Sequence, residues 1–391
     1  MPQSFQRKIG WEMSLRVEQL TFRNFRNYDQ LHLSNLGDIT VFVGENGIGK
    51  TNIVEGVQLL TALTSFRHST AEHLIRHSCD SARLEARVSD GNRDLTVELL
   101  LDEKARKYRL NGKAKRSADL KGLVPSVIFT PDDLELVKGP MAARRTAVDT
   151  LGSQVNKNFH TVRRDYEKVV RHKNRLLKDD TDSALVAAID EMLVTVGAQL
   201  TCYRAALFAR LQGPMSEKYR QISGGRELLE TVYAPSWVSA DVDSLCDGAR
   251  AGTFTRDEAR ASLSAALEAR AAEERRRARA LVGPHADGIT FLLDGKNASL
   301  YASQGQQRSI VLAYKLAEAA VIEEILDQKP VLLLDDVMSE LDGRRREALV
   351  EAMERGSQTF ITTANLDYFD ENMLSRANVV ELPYKPQAVE I

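Results

Sequence analysis

The chain has 391 residues, with 53 basic and 55 acidic side chains and a formal net charge of −2. This length suits two domains, or one large domain with an insertion. The hydrophobic fraction of 43% and the charged fraction of 28% are typical of a soluble globular protein. The balanced charge excludes a uniformly basic, histone-like nucleic-acid binder, but it allows a local basic patch.

Cysteine usage and hydropathy exclude several further classes of protein. The three cysteines (Cys79, Cys202 and Cys246) lie far apart without a CxxC pair. This argues against a disulfide framework or a zinc site and favours a reducing cytoplasm. No stretch approaches the roughly 18 consecutive apolar residues of a membrane span, so no membrane association is expected. Residues 1–12 lack the apolar segment of a secretory signal and are predicted to be a disordered extension.

The first third of the chain is predicted to consist mainly of strands. A short apolar strand covers 39–43, and a helix runs from Thr51 to about Leu63. Strands at 82–89, 94–101 and 105–110 follow, and the turns between them contain Asp-Gly and Asn-Gly pairs. This spacing predicts an antiparallel meander.

Long charged helices are predicted between about 131 and 281. Two of them cover 157–178 and 182 to about 211. A third begins at Thr255, where Thr255 and Glu258 have the spacing of a capping box. This helix ends before the Gly-Pro pair at 283–284.

Strands and helices alternate in the last third of the chain. Strands are predicted at 288–295, 330–334, 358–363 and 378–382, with helices at about 305–328 and 343–354. Alternation of this kind indicates a parallel α/β sheet. We therefore predict an α/β head built from residues 13–130 and 282–391, with a mainly helical insertion domain at 131–281.

A phosphate-binding motif follows the strand at 39–43. The segment GENGIGKT, from Gly44 to Thr51, satisfies GxxxxGK[ST]. Glycines let backbone N–H groups surround an anion, and the helix N-terminus adds partial positive charge. Lys50 would reach the β/γ-phosphates, and the Thr51 hydroxyl would bind Mg²⁺. The alternative is a glycine-rich turn with a solvated lysine, which the flanking strand and helix make less favourable. The predicted nucleotide-binding residues here are Gly44, Glu45, Asn46, Gly47, Ile48, Gly49, Lys50, Thr51 and Asn52.

Two carboxylates end the apolar strand at 330–334. Asp335 lies where open α/β sheets place their ligands, and it would hold Mg²⁺. The next residue, Asp336, could orient the attacking water. Taken alone, such a strand is more often only a strand and its turn. A phosphate-binding motif in the same chain favours the functional interpretation.

A second polar helix start occurs at Tyr301–Arg308, which reads YASQGQQR. Polar residues and a glycine at a helix N-terminus form a potential anion site. One nucleotide does not require two such sites in one chain. The alternative is an ordinary polar cap.

The ordered series of these motifs resembles the RecF family, a group of bacterial ABC-type ATPases of DNA maintenance. The matching segments are LTFRNFRNY (20–28), GENGIGKTN (44–52), SFRHS (65–69), VIFTPDDLELVKGP (127–140), YEKVVRHKNRLLK (166–178), GPHADG (283–288), YASQGQQRS (301–309) and LLLDDVMSELDGRRR (332–346). The resemblance implies an ABC-type P-loop ATPase head that dimerises head to tail around two ATP molecules with Mg²⁺. Ser303 and Gly305, with Gln306 nearby, would contact the γ-phosphate held by the partner subunit. Residues 339–342 would form the D-loop, and Thr363 would occupy the switch position.

The resemblance also implies a reaction and a set of partners. Lys50 and Asp336 are the expected catalytic residues, and Asp336 replaces the glutamate common in the wider ABC group. Its shorter side chain implies slow ATP hydrolysis. The resemblance implies that DNA stimulates this reaction. The implied role is recombinase loading at gapped DNA and SOS induction, with RecO- and RecR-type mediators as partners. Two alternatives are an ATP-binding scaffold with negligible turnover and, less favoured, the nucleotide-binding subunit of an ABC transporter.

Basic clusters in the sequence provide candidate DNA contacts, because lysine and arginine bind phosphate backbones without sequence readout. The helix at 163–178 has few acids and is the preferred surface for double-stranded, single-stranded or gapped DNA. The alternative is a solvated helix face with i,i+4 ion pairs. The predicted DNA contacts are Arg164, Lys168, Arg171, Lys173, Arg175 and Lys178.

Overall fold

The structure is a computed structural model that describes residues 14–238 and 253–383. The predicted N-terminal extension at 1–12 lies outside the described residues. The strands are β1 (Arg16–Phe25), β2 (Tyr28–Leu33), β3 (Ile39–Val43), β4 (Ser81–Ser89), β5 (Asp94–Asp102), β6 (Ala105–Leu110), β7 (Lys113–Lys115), β8 (Ser126–Phe129), β9 (Leu229–Ala234), β10 (Gly288–Leu293), β11 (Lys296–Asn297), β12 (Val331–Asp335), β13 (Thr359–Thr363) and β14 (Asn378–Glu381).

The helices alternate with these strands at both ends of the chain and dominate its middle. They are α1 (Lys50–Thr61), α2 (Ala71–Leu74), α3 (Ser117–Leu120), α4 (Glu135–Lys138), α5 (Met141–Val155), α6 (Lys157–Lys178), α7 (Ser183–Ser223), α8 (Arg256–Arg277), α9 (Ala298–Tyr301), α10 (Gln304–Leu326), α11 (Gly343–Glu354) and α12 (Glu371–Arg376). The predicted capping box is confirmed, because the Thr255 hydroxyl accepts from the Glu258 N–H at the start of α8.

A five-stranded parallel sheet combines both ends of the chain, as the alternation of strands and helices predicts. Its order is β14-β3-β13-β12-β8. Because the strands are parallel, the carboxyl ends of β3, β13 and β12 meet at one edge of the sheet. This edge carries the glycine-rich loop after β3 and the two aspartates that end β12.

The predicted antiparallel meander is part of a six-stranded sheet with the order β2-β1-β4-β5-β6-β7. Helix α1 packs against strands of both this sheet and the parallel sheet, and its side chains are almost all buried. A Cβ at Gly56 would lie 2.4 Å from Cζ of Phe22, so glycine permits the close approach of α1 to β1. Helix α1 therefore holds the glycine-rich loop against a rigid core.

One strand does not join the sheet to which the alternation assigns it. Strand β10, predicted to belong to the parallel sheet, pairs instead with β9 and β11 in a separate antiparallel sheet. Since β9 lies in the predicted insertion, a boundary at 281/282 separates two strands that are hydrogen-bonded to each other. The alternation pattern identified the strand but not its partner.

The insertion is organised around α7, which packs against α6, α8 and α10. By length and composition alone α7 is apolar enough to cross a membrane, with a mean hydropathy of 1.4 over 18 residues. In the structure, however, its Arg204 is buried and donates two hydrogen bonds of 2.8 Å to the carboxylate of Asp149 on α5. Asp287 lies 3.2 Å from the same guanidinium. The helix is thus bound to its neighbours by charge as well as by apolar contacts.

Candidate functional site

The glycine-rich loop and the N-terminus of α1 form one wall of a pocket of about 240 Å³ at the edge of the parallel sheet. Lys50 is buried, and its Nζ donates to the carbonyl oxygens of Gly44 at 2.6 Å and Glu45 at 3.0 Å. The carbonyl oxygens of the glycine-rich loop therefore bind the ammonium group of Lys50. Lysine and backbone N–H groups around a small pocket form an anion site suited to phosphate.

Residues from the β1–β2 turn support this loop from outside. A Cβ at Gly49, whose φ is +113°, would lie 2.5 Å from Nδ2 of Asn27. Asn27 donates to the carbonyl of Ile48 at 2.9 Å, and the Tyr28 hydroxyl donates to that of Gly49 at 3.2 Å. Burial raises the pKa of Tyr28, which keeps the hydroxyl a donor. The sequence LTFRNFRNY contributes these contacts, but only the resemblance, and no local pattern, pointed to it.

A buried carboxylate on α1 connects two more of the matching segments, 20–28 and 65–69, to the helix that follows the glycine-rich loop. Glu55 is fully buried and accepts two hydrogen bonds of 2.9 Å from the guanidinium of Arg26. The hydroxyls of Ser65 and Ser69 donate to the same carboxylate at 2.6 and 3.1 Å. Arg67 lies between these serines in sequence and borders the same pocket as Lys50. The SFRHS segment is thus fixed so that a guanidinium stands beside the phosphate loop.

Asp335, the last residue of β12, faces the P-loop threonine. Oδ1 of Asp335 accepts from the hydroxyls of Thr51 and Thr362, each at 2.8 Å. Burial raises the pKa of Asp335, whereas these two hydrogen bonds favour its ionised form. A carboxylate and a hydroxyl at this spacing are the oxygen ligands that Mg²⁺ prefers, together with phosphate oxygens and water.

The second aspartate turns into the same pocket. Asp336 has a φ of +55°, in the left-handed region that aspartate tolerates better than most residues. Its N–H donates to the Thr362 hydroxyl at 3.0 Å. Asp336 borders the pocket together with Lys50 and Thr51. Asp335 is thus buried behind Thr51 and Thr362, whereas the half-buried Asp336 lines the pocket itself.

The predicted switch residue requires a correction. Thr363 is buried, and its hydroxyl donates to the carbonyl of Asn365 at 2.7 Å, away from the pocket. The preceding residue, Thr362, borders the pocket and binds Asp335. Successive side chains of a strand point to opposite faces, so only one of the two threonines can do this. Thr362, and not Thr363, therefore lies at the wall of the pocket in which the nucleotide contact of Thr363 was predicted.

The second polar helix start lies elsewhere on the chain. The Ser303 hydroxyl accepts from the Gln306 N–H at 3.3 Å, and the Gln306 carbonyl oxygen Oε1 accepts from the Ser303 N–H at 2.7 Å. This capping box starts α10, so the ordinary polar cap of the alternative interpretation is present. Among the described residues, Ser303, Gly305 and Gln306 are not part of the wall around Lys50. The chain thus carries two separate anion-binding candidates.

Arg345 joins this helix start to the segment after the two aspartates. Its guanidinium donates to the Gly305 carbonyl at 2.5 Å and to the Ser309 hydroxyl at 2.9 Å. It also pairs with Asp342, the N-cap of α11, at 2.5 Å. All three guanidinium nitrogens are thus used within one subunit. In the sequence Arg345 belongs to the matching segment 332–346, and no local signal points to this contact.

A buried charge cluster lies beside the parallel sheet, between α10 and the segment that follows β8. Lys315 on α10 lies 3.0 Å from the carboxylate of Asp133 and 3.8 Å from that of Glu318. Burial raises the pKa of Glu318 from 4.5 to about 7, and the charge of Asp133 acts in the same direction. One lysine cannot compensate two buried carboxylates, so Glu318 retains its proton more easily than an exposed glutamate.

The basic helix α6 presents one exposed charged face. Arg164, Lys168, Arg171, Arg175 and Lys178 are all exposed and follow a spacing of four, three, four and three residues. This spacing aligns side chains along one side of a helix. Asp165 pairs with Lys168 at 3.2 Å and lies 3.7 Å from Arg164. In the described part of the chain the other three cations form no ion pair.

Lys173 does not belong to this face, so its predicted DNA contact is wrong. Its side chain is fully buried, and Nζ lies 2.5 Å from Glu274 on α8 and 2.6 Å from Asp190 on α7. Glu274 in turn accepts from the N–H of Leu281 at 2.7 Å. Lys173 therefore joins three helices of the insertion. It is two residues from Arg171, which places it on the opposite side of α6.

Comparisons with known proteins agree with the series of motifs. The model of the RecF/RecN/SMC N-terminal domain family matches residues 16–383. The chain is 34% identical over 373 residues to the DNA replication and repair protein RecF of Halalkalibacterium halodurans, covering 94% of this chain and 98% of the relative. It is 38% identical over 346 residues to that of Symbiobacterium thermophilum, covering 88% and 90%.

Solved structures are similar over almost the same length. The recombination mediator protein RecF with ATP, of the RecFOR pathway, superposes with a TM-score of 0.82 and 29% identity, covering 92% of this chain and 94% of that chain. The Smc head domain of Pyrococcus furiosus, with 15% identity and a TM-score of 0.51 over 94% and 93% of the two chains, is similar in fold alone. These similarities confirm the predicted fold class and the resemblance carried by the motifs.

Proposed function

Because the chain belongs to the RecF family of DNA replication and repair proteins, we propose that it is an ATP-gated DNA clamp. In this proposal ATP binding drives head-to-tail dimerisation on DNA, and slow hydrolysis releases the dimer. One observation carries it: the pocket around Lys50 and the helix start at Ser303 are separate on one chain. Two subunits in opposite orientation would bring each P-loop to the other subunit's Ser303.

The P-loop residues would bind the triphosphate. Lys50 would exchange its bonds to the carbonyls of Gly44 and Glu45 for phosphate oxygens, and the N–H groups at the start of α1 would surround the β-phosphate. Thr51 and Asp335 would hold Mg²⁺, whose charge neutralises the phosphates. Arg67 would add a further cation at the rim.

Hydrolysis would depend on the accessible carboxylate. Asp336 borders the pocket and is placed to accept a hydrogen bond from the attacking water. An aspartate reaches less far than a glutamate, which supports slow turnover. Stimulation of this turnover by DNA is part of the proposal. Ser303 and Gly305 of the partner subunit would stabilise the γ-phosphate with N–H groups of a second helix N-terminus.

The exposed face of α6 would bind DNA. Five cations lie along one side of this helix, and among the described residues Arg171, Arg175 and Lys178 form no ion pair. This favours contact with a phosphate backbone over a self-compensated surface. Such contacts do not read sequence, so duplex, single-stranded and gapped DNA would compete.

The biological role proposed is recombinase loading at gaps and SOS induction in the cytoplasm, with RecO- and RecR-type mediators. It is supported by the RecFOR pathway of the structurally similar RecF.

A mixing experiment tests the two-subunit site. Ser303→Arg should leave ATP binding to the monomer intact and block ATP-dependent dimerisation, because a large cation fills the contact with the partner. Lys50→Met should abolish ATP binding. Light scattering should show that neither variant forms a homodimer with ATP, whereas the mixture forms a heterodimer with one intact composite site.

Two results would contradict the two-subunit site or the P-loop assignment, and a third would replace the proposed ATPase. Normal ATP-dependent dimerisation of Ser303→Arg would return residues 301–308 to the role of a polar cap. A folded Lys50→Met variant with unchanged nucleotide affinity would remove the P-loop assignment. If DNA binds and ATP dimerises the protein but no phosphate is released, the scaffold alternative replaces the ATPase.

A further inference from the structure

Two large apolar side chains stand exposed immediately before the second anion site. Leu300 and Tyr301 are 74% and 71% exposed, more than any other large hydrophobic side chain in residues 14–238 and 253–383. Single exposed hydrophobics are common on protein surfaces. Two in succession, beside a site that the proposed function assigns to an interface, call for a covering partner.

The segment that carries them is held firmly. Asn297 caps α9 by accepting from the N–H and the hydroxyl of Ser299 at 3.0 and 2.8 Å. Ala298, at the start of the same short helix, is buried in the core. Gln307 of α10 donates to the Ala302 carbonyl at 2.8 Å. Leu300 and Tyr301 therefore project from a fixed base, so covering them requires little ordering of the backbone.

We propose that Leu300 and Tyr301 form an apolar contact with a second copy of this chain, at the rim of that copy's nucleotide pocket. This inference rests on the proposed head-to-tail dimer. Tyr301 is two residues from Ser303, which limits their Cα separation to about 7 Å. A partner that brings a γ-phosphate to Ser303 therefore also covers Tyr301. Burial of this pair strengthens the dimer and excludes water from the composite site.

The test compares two double variants of the full chain. Leu300→Ser with Tyr301→Ser should raise the dissociation constant of the ATP-dependent dimer by at least about 100-fold. Burial of each large apolar side chain is worth about tenfold or more, so the pair from one subunit already gives this factor, and the symmetric second pair adds to it. ATP affinity of the monomer should not change. The control, Leu185→Ser with Met192→Ser, removes two exposed apolar side chains of α7 and should leave the dimer unaffected.

A second measurement keeps the inference testable if the serine variants fold poorly. When ATP is added, the tryptophan emission of the Tyr301→Trp variant should shift to the blue by more than that of the wild-type chain. The same substitution combined with Lys50→Met should show none.

Wild-type dimer affinity in the serine variant, or an unshifted Tyr301→Trp emission in an ATP-dimerised protein, would overturn the inference and leave the proposed function standing. Failure of the wild-type chain to dimerise with ATP would instead overturn the proposed function and this inference with it.

Discussion

Replacement of Lys173 by methionine should destabilise the insertion without weakening DNA binding by the folded protein. The ammonium group is fully buried between Glu274 at 2.5 Å and Asp190 at 2.6 Å. Methionine fills a similar volume but leaves both carboxylates without their cation. Glu274 is itself only 2% exposed and cannot recover solvation.

The expected loss in the free energy of unfolding is about 3 kcal/mol, at the lower end of what removal of one partner from a buried ion pair costs. Asp190 is a quarter exposed, so water compensates it in part. Urea unfolding followed by the fluorescence of Trp237, which packs against Phe254 in the insertion, measures this loss. Adding Glu274→Gln should restore part of the stability, because the amide oxygen still accepts from Leu281 and the fully buried charge at position 274 is removed.

The matched control is Arg171→Met, on the exposed face of the same helix. This change should alter stability by no more than about 0.5 kcal/mol and should weaken DNA binding. The opposite outcome, a stable Lys173→Met protein with reduced DNA affinity, would refute the assignment of Lys173 to the helix junction.

Three further predictions concern other parts of the molecule. Replacing Arg171 and Lys178 with alanine should reduce the slope of log K against log salt for duplex DNA by about 0.9 for each lost phosphate contact; an unchanged slope in binding titrations would mean that α6 is a solvated face. Arg345→Lys should weaken ATP-dependent dimerisation about tenfold, measured by light scattering, because lysine cannot keep all three bonds that hold the helix start; equal loss of monomer ATP affinity would contradict this. Burial raises the pKa of Glu318 to about 7, so the folded state binds this proton more tightly than the unfolded state does. The contribution of Glu318 to the free energy of unfolding is therefore fully present below its ordinary pKa of 4.5 and is lost as the pH rises through about 7. Urea titrations should show a loss of up to about 1.4 kcal/mol per pH unit in this window, and Glu318→Gln should flatten it; an equally steep curve for the variant would assign the effect to another group.

The parts of the site that a motif describes were predictable from the sequence. In the P-loop, one short segment contains the strand end, the turn glycines and the first helical turn, so local spacing determines the geometry. The support provided by Asn27 and Tyr28 has no such local signature. It arises because the β1–β2 turn packs on Gly49, and a contact between distant segments cannot be inferred from the spacing within either one.

The fold shows the same distinction between local pattern and long-range pairing. The apolar pattern of β10 predicts a strand correctly, but strands of parallel and antiparallel sheets can have similar composition. The partner of β10 is β9, about 55 residues earlier by sequence position and beyond a long helix. Only the packing of the insertion decides between this partner and the parallel sheet.

The errors at Lys173 and Thr363 have a common physical origin: in both cases the helix or strand was predicted correctly, but the side chain lies on the other face of it. On α6 the count of basic residues was high, but only those at the four-three spacing share the exposed face, and this phase could have been read from the sequence. On β13 the strand sequence alone does not state which threonine faces β12. The register pairs Asp335 with Thr362, and directly opposed residues of neighbouring strands project from the same face of the sheet. The carboxylate of Asp335 therefore meets the hydroxyl of Thr362, and the neighbouring Thr363 must point the other way.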